Sequence, residues 1–193
     1  TSFGPGVAAV TFSPTTNRVL FIHGIRNANE ANPYAMTRRT GVAVDIEKPF
    51  VPLFLDARNI SAPFTNGALR GGTHAHTWSG DGKWISFTYN DYCIEQAAKQ
   101  GQSIKDLRTI GVMLPGKQVH VQEDKTLENN SGELFSTLVA KVVDTPTPET
   151  DEIDKAFDES KCLLSVIKAA KWIKSDCYQL ANRLAFMGFC TKN

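Results

Sequence analysis

The stretch Thr73-His74-Ala75-His76-Thr77-Trp78-Ser79-Gly80-Asp81-Gly82-Lys83-Trp84-Ile85-Ser86-Phe87-Thr88-Tyr89 decides the fold. Residues 73–78 and 83–89 alternate in character, and Ser79-Gly80-Asp81-Gly82 between them is turn chemistry. Glycine takes φ > 0 without a steric penalty, and an aspartate side chain can bond its own backbone. Trp84, Ser86 and Thr88 share one face of the second strand, and Ile85, Phe87 and Tyr89 the other. Bulk on both faces predicts a strand covered on both sides. A side-chain period of two places His74 and His76 together on one face of the first strand.

The same unit opens the chain. Phe12-Ser13-Pro14 leads to Arg18-Val19-Leu20-Phe21, as Trp78-Ser79-Gly80 leads to Lys83-Trp84-Ile85-Ser86-Phe87. In each copy an aromatic ends a strand, serine opens the turn and a basic residue starts the next strand. This is an internal repeat. Strands are expected at 7–12, 18–23, 41–46 and 50–55, forming one antiparallel sheet. Pro52 assigns the last of these to an edge, because proline cannot donate to a ladder. A second sheet is expected from 73–78, 83–89, 107–113 and 117–122, and a third unit begins at 134–143. Residues 56–72 interrupt the rhythm as a long insertion, in which Arg70-Gly71-Gly72 allows close backbone approach. A helical turn is expected near 34–37 and a short helix at 92–101. After the extended Thr145-Pro146-Thr147-Pro148 come an acidic helix at 151–159, a helix at 160–181 and a strand at 184–189.

Successive four-stranded antiparallel sheets suggest an all-β fold of β-propeller blades. Residues 1–159 would hold one blade at 7–55, the insertion, a second blade at 73–122 and a partial blade at 134–143. Residues 160–193 form a divergent helical segment with a final strand. A ring takes roughly 4 to 8 blades of about 40–45 residues, so this length makes an incomplete propeller.

Composition narrows the function classes. The 193 residues are 41% hydrophobic and 21% charged, which is globular. A net charge of +1 offers no general attraction to nucleic acid or anionic membranes. No run approaches the ~18 apolar residues that span a bilayer. The chain opens at Thr1 without a basic-then-apolar leader, and a leader preceding it stays open. Cys93, Cys162, Cys177 and Cys190 contain no CxxC pair, which argues against a zinc knuckle. Free thiols and a disulfide among the last three both stay open. Nucleotide loops, a nucleophile elbow and HExxH are all missing from the sequence.

Several ordered stretches resemble the bacterial YidR-like family, an uncharacterised group with a TolB-like, WD40-like β-propeller. They are Phe21-Ile22-His23-Gly24, Arg38-Arg39-Thr40-Gly41-Val42, the run from Asp56 to Ser86, Phe87-Thr88-Tyr89-Asn90-Asp91, and Asp106-Leu107-Arg108-Thr109-Ile110-Gly111-Val112. The resemblance covers about residues 6–159, and 160–181 depart from it. It implies an internal portion of a longer chain, a bacterial setting with the periplasm favoured over the cytoplasm, and a scaffold that binds a protein or small acidic ligand.

The candidate chemistry is limited. His74 and His76 on one face could hold one divalent metal, with His23, His120 or Asp56 as a third ligand. Arg70, Arg58 and Arg39, with Arg38 beside it, could bind carboxylate or phosphate, which guanidinium forks suit. An alternative to the scaffold is a metal-dependent lyase or hydrolase on acidic oligosaccharides. It rests on a loose similarity to the oligogalacturonate lyase propellers.

Overall fold

A computed structural model describes residues 3, 6–79, 81–123, 126 and 128–139. The elements expected at 151–159, 160–181 and 184–189, with Cys162, Cys177 and Cys190, lie outside the described residues. The first sheet pairs β1 (Val7–Phe12), β2 (Arg18–Gly24), β3 (Arg39–Asp45) and β4 (Leu53–Phe54) in sequence order. The second pairs β5 (Gly71–Trp78), β6 (Ile85–Asp91), β7 (Thr109–Leu114) and β8 (Phe135–Leu138) in the same way. Both sheets are antiparallel throughout. A 3-10 turn, Met36–Arg38, precedes β3, and helix α1 (Tyr92–Lys99) follows β6. Asp91 caps α1 by accepting from the Ile94 backbone N–H at 3.0 Å.

The expected two-sided burial of the central strand holds, since all seven residues of β6 are buried. Leu20, Ala43 and Leu55 pack with Ile85, Phe87, Tyr89 and Met113 in one core shared by the two sheets. Like turns also meet. Ser13 Oγ accepts from the backbone of Thr15 and Thr16, and Ser79 Oγ accepts from Trp84 N–H. Thr15 Oγ1 donates to the Asp81 carbonyl at 3.5 Å. Gly82, at φ +69°, leaves no room there for a Cβ, which would lie 2.1 Å from Thr15 Oγ1.

Three expectations need correction. The fourth strand of the second sheet is Phe135–Leu138, not 117–122, so the segment expected to open a third unit completes the second sheet. Gly116, at φ +73°, turns the chain away after β7. Val119 then bonds Gly132 in both directions, and Val119 and Val121 bury against Ala57 in a separate small cluster. The 56–72 segment is tied down rather than loose. Arg58 exchanges both backbone bonds with Asn130, and Asn59 N–H donates to the Leu69 carbonyl.

The third correction concerns β5. Ala75 sits at φ +52° inside a register shift between His74 and Thr77. This is a β-bulge, which inserts one residue and reverses the alternation beyond it. Its counterpart is in β1, where Ala9 has φ +51° within a shift between Ala8 and Thr11. The two sheets therefore repeat in backbone detail as well as in strand order.

Candidate functional site

The bulge sends the two histidines to opposite faces. His74 Nδ1 bonds the Thr88 hydroxyl, while His76 has its ring centroid 6.5 Å from that of Phe87. Phe87 and Thr88 are neighbours on β6 and must point oppositely. The pair of imidazoles on one face does not form. Among the described residues no group of three His, Cys, Asp or Glu side chains gathers as metal ligands. His23 Nδ1 lies 2.5 Å from the Gly24 carbonyl, and His120 is exposed.

His76 belongs to a buried network across the two sheets. Asp56 is fully buried and accepts from Gly41 N–H at 2.6 Å, Thr40 Oγ1 at 3.0 Å and Thr73 Oγ1 at 3.1 Å. With its proton given to Asp56, Thr73 Oγ1 accepts from His76 Nε2, 3.0 Å away. The neutral ring then carries its proton on Nε2, and Nδ1 is buried without a partner. Burial raises the Asp56 pKa to about 6, against hydrogen bonds that lower it. Burial lowers that of His76 to about 3.

His74 faces a different set of groups. Asn90 donates through Nδ2 to Asp106 Oδ2 at 3.0 Å, which orients its Oδ1 toward His74 Nε2 at 3.2 Å and Arg108 Nε at 3.3 Å. His74 therefore donates through Nε2. Its pKa falls to about 3, through burial first and then the positive charge of Arg108, with Arg39 also contributing. Arg108 Nη2 also reaches Met36 Sδ at 3.2 Å. The predicted close approach at the glycines is present here. A Cβ on Gly72 would lie 2.0 Å from the Met36 carbonyl oxygen, so only glycine lets the Met36–Arg38 turn lie against β5.

The three predicted arginines have different surroundings. Arg58 is fully buried and donates to the Thr37 and Glu128 carbonyls, and to the Glu128 carboxylate. Glu128 also holds Arg38, which makes this a buried structural cluster. Arg70 forks onto Asp91 Oδ2 through Nε at 3.1 Å and Nη2 at 2.6 Å, and lies over the Phe64 ring. Arg39 has no carboxylate partner among the described residues. Its guanidinium lies 4.9 Å over the Tyr34 ring, and its Nε is buried without an acceptor.

Arg108 is the residue that sequence reasoning passed over. The signal is in the repeat. Phe21 pairs with Val42 as Phe87 pairs with Gly111, so Arg39 and Arg108 occupy equivalent places where their sheets' third strands begin. Arg39-Thr40 and Arg108-Thr109 carry that equivalence in the sequence.

The described residues form two repeated antiparallel sheets with an arginine at the same place in each, the mark of a mainly β repeat protein. A family model described as a protein of unknown function, DUF3748, matches residues 6–129, and the chain belongs to this family. It is 40% identical over 158 residues to the uncharacterized protein YidR of Escherichia coli (strain K12). The match covers 82% of this chain and 36% of YidR, so the chain spans about a third of that relative's length. No solved structure matches the chain.

Proposed function

We propose that the chain is part of a TolB-like β-propeller that works as a binding scaffold. Its ligand is a small acidic molecule, held at the corner where Arg39 and Arg108 approach His74 and Asn90. The observation that carries this reading is Arg39, an arginine whose buried Nε has no partner and which has no carboxylate beside it among the described residues. A guanidinium left unmatched in a protein is suited to a carboxylate or phosphate from outside. Neutral His74 donates to Asn90, so it helps to set the corner's geometry without adding charge. The stacking of two like sheets through a shared core supports the propeller reading. The metal-dependent lyase draws no support from the histidine placement, because one strand sends the rings in opposite directions.

Isothermal titration with inorganic phosphate and with galacturonate tests the proposal. Saturable binding is expected, and Arg39→Gln should weaken it about tenfold or more, the scale of one charge-assisted hydrogen bond. Equal affinity in wild type and Arg39→Gln would move the ligand elsewhere. No heat with either anion would refute an acidic ligand at this corner.

A further inference from the structure

At the opposite end of β3 from Arg39 lies a cleft of about 750 Å³ between the turn ends of the two sheets. Neither the arginine corner nor the Asp56 network reaches it. The seven residues of β3 separate the two places by roughly 20 Å.

Its lining has two parts. Trp78, Leu53 and Leu134 supply apolar surface. Around them the polar groups are arranged in balanced pairs. Arg18 forks onto Asp45, with Nε to Oδ1 at 2.7 Å and Nη2 to Oδ2 at 3.1 Å. Gln118 donates to Glu133 Oε2 at 2.6 Å. Lys83 offsets Glu133, so the described lining residues carry no formal net charge. Trp78 Nε1 is buried and has no acceptor.

This arrangement selects a chemistry. A charged ligand meets no net opposite charge there. A wholly apolar ligand would strip water from the Arg18–Asp45 and Gln118–Glu133 pairs and return nothing for it. A ring with one apolar face and a rim of hydroxyls matches both parts, because each hydroxyl donates and accepts. An aromatic wall with a few convergent polar groups is a common form of small-molecule site. We propose that this cleft binds a neutral sugar unit, its ring face on Trp78 and its hydroxyls on the Arg18–Asp45 and Gln118–Glu133 pairs. The site is separate from the acidic-ligand corner and does not depend on it.

The test is tryptophan fluorescence and calorimetry on the full 193-residue chain, with D-glucose, D-galactose and maltose as probes. At least one should give saturable binding with Kd near about 1 mM. Trp78→Phe keeps most of the packing and shrinks the aromatic face on which the sugar ring lies. It should weaken binding about tenfold, as should Glu133→Ala at the exposed rim. Arg39→Gln should leave sugar binding unchanged. Should Trp78→Phe fail to fold, Glu133→Ala decides the matter, since that side chain is at the surface. No saturable signal with any neutral sugar, or wild-type affinity in the cleft variants, would overturn the assignment.

Discussion

Three buried titratable groups, two on strand β5 and one on the segment after β4, give the chain a definite response to acid. Burial keeps His74 and His76 neutral down to about pH 3, against 6.5 for a free imidazole. Below 6.5 the unfolded chain therefore takes up two protons that the folded chain refuses, and acidification destabilises the fold. Asp56 works in the other direction. Its pKa of about 6 against 3.8 means that between those values the folded chain holds a proton the unfolded chain has lost. Over these three groups the unfolded state is ahead by one proton between about pH 4 and 6, so together they lower stability by about 1.4 kcal/mol for each pH unit of acidification. Asp56→Asn removes the opposing proton and should roughly double that slope, to about 2.7 kcal/mol per unit. Urea unfolding at several pH values across this window measures both slopes. An unchanged slope in the variant would mean that Asp56 is already ionised throughout.

At the scale of the strand, the bulge is the decisive device. Ala75 at φ +52° sits in the left-handed region, which costs a non-glycine residue roughly 1–2 kcal/mol. Ala75→Gly should relieve this and, after the added entropy of the unfolded chain, stabilise by about 0.5–1 kcal/mol. Ala75→Val should destabilise by at least about 1 kcal/mol, because a branched side chain tolerates this region poorly. Thermal melts of the two variants would give shifts of opposite sign. The bulge also marks the limit of what the sequence discloses. The Ser79–Gly82 turn, the covered strand Ile85–Asp91 and the close approach at Gly72 were legible from residue type and alternation. Nothing in Thr73-His74-Ala75-His76 announces the extra residue, because alanine carries no preference for a positive φ. The expected metal pair depended on that one alternation. Similarly, Val119 and Val121 alternate like a strand, but their apolar face is taken by Ala57 and not by β7.

For the molecule as a whole, the repeat predicts the character of an uncovered face. Thr73, His76 and Trp78 of β5 lie on the side toward the first sheet. Their counterparts in β1 are Val7, Val10 and Phe12, which are 60%, 57% and 64% exposed. A contiguous apolar stripe of this kind promotes association. Sedimentation of this chain should show self-association rising with concentration, and Val10→Asp with Phe12→Asp should suppress it while leaving the circular dichroism unchanged. A wild type that stays monomeric at high concentration would mean that the stripe is covered by groups within the same chain. The arginine corner was half legible. Arg39 stood out by type, whereas Arg108 emerges only when the two sheets are superposed in register.

The opposed histidines of β5 also form a matched pair of spectroscopic reporters. Neither ring titrates near neutrality, so their nitrogen resonances should hold steady across the physiological pH range. Each senses a different side of one strand. A ligand that perturbs His74 alone has arrived at the arginine corner, and one that perturbs His76 alone has disturbed the seam between the sheets. Joint movement of both signals would mean that the strand between them shifts as a rigid bar. One labelled residue type thus separates three modes of response without any mutation.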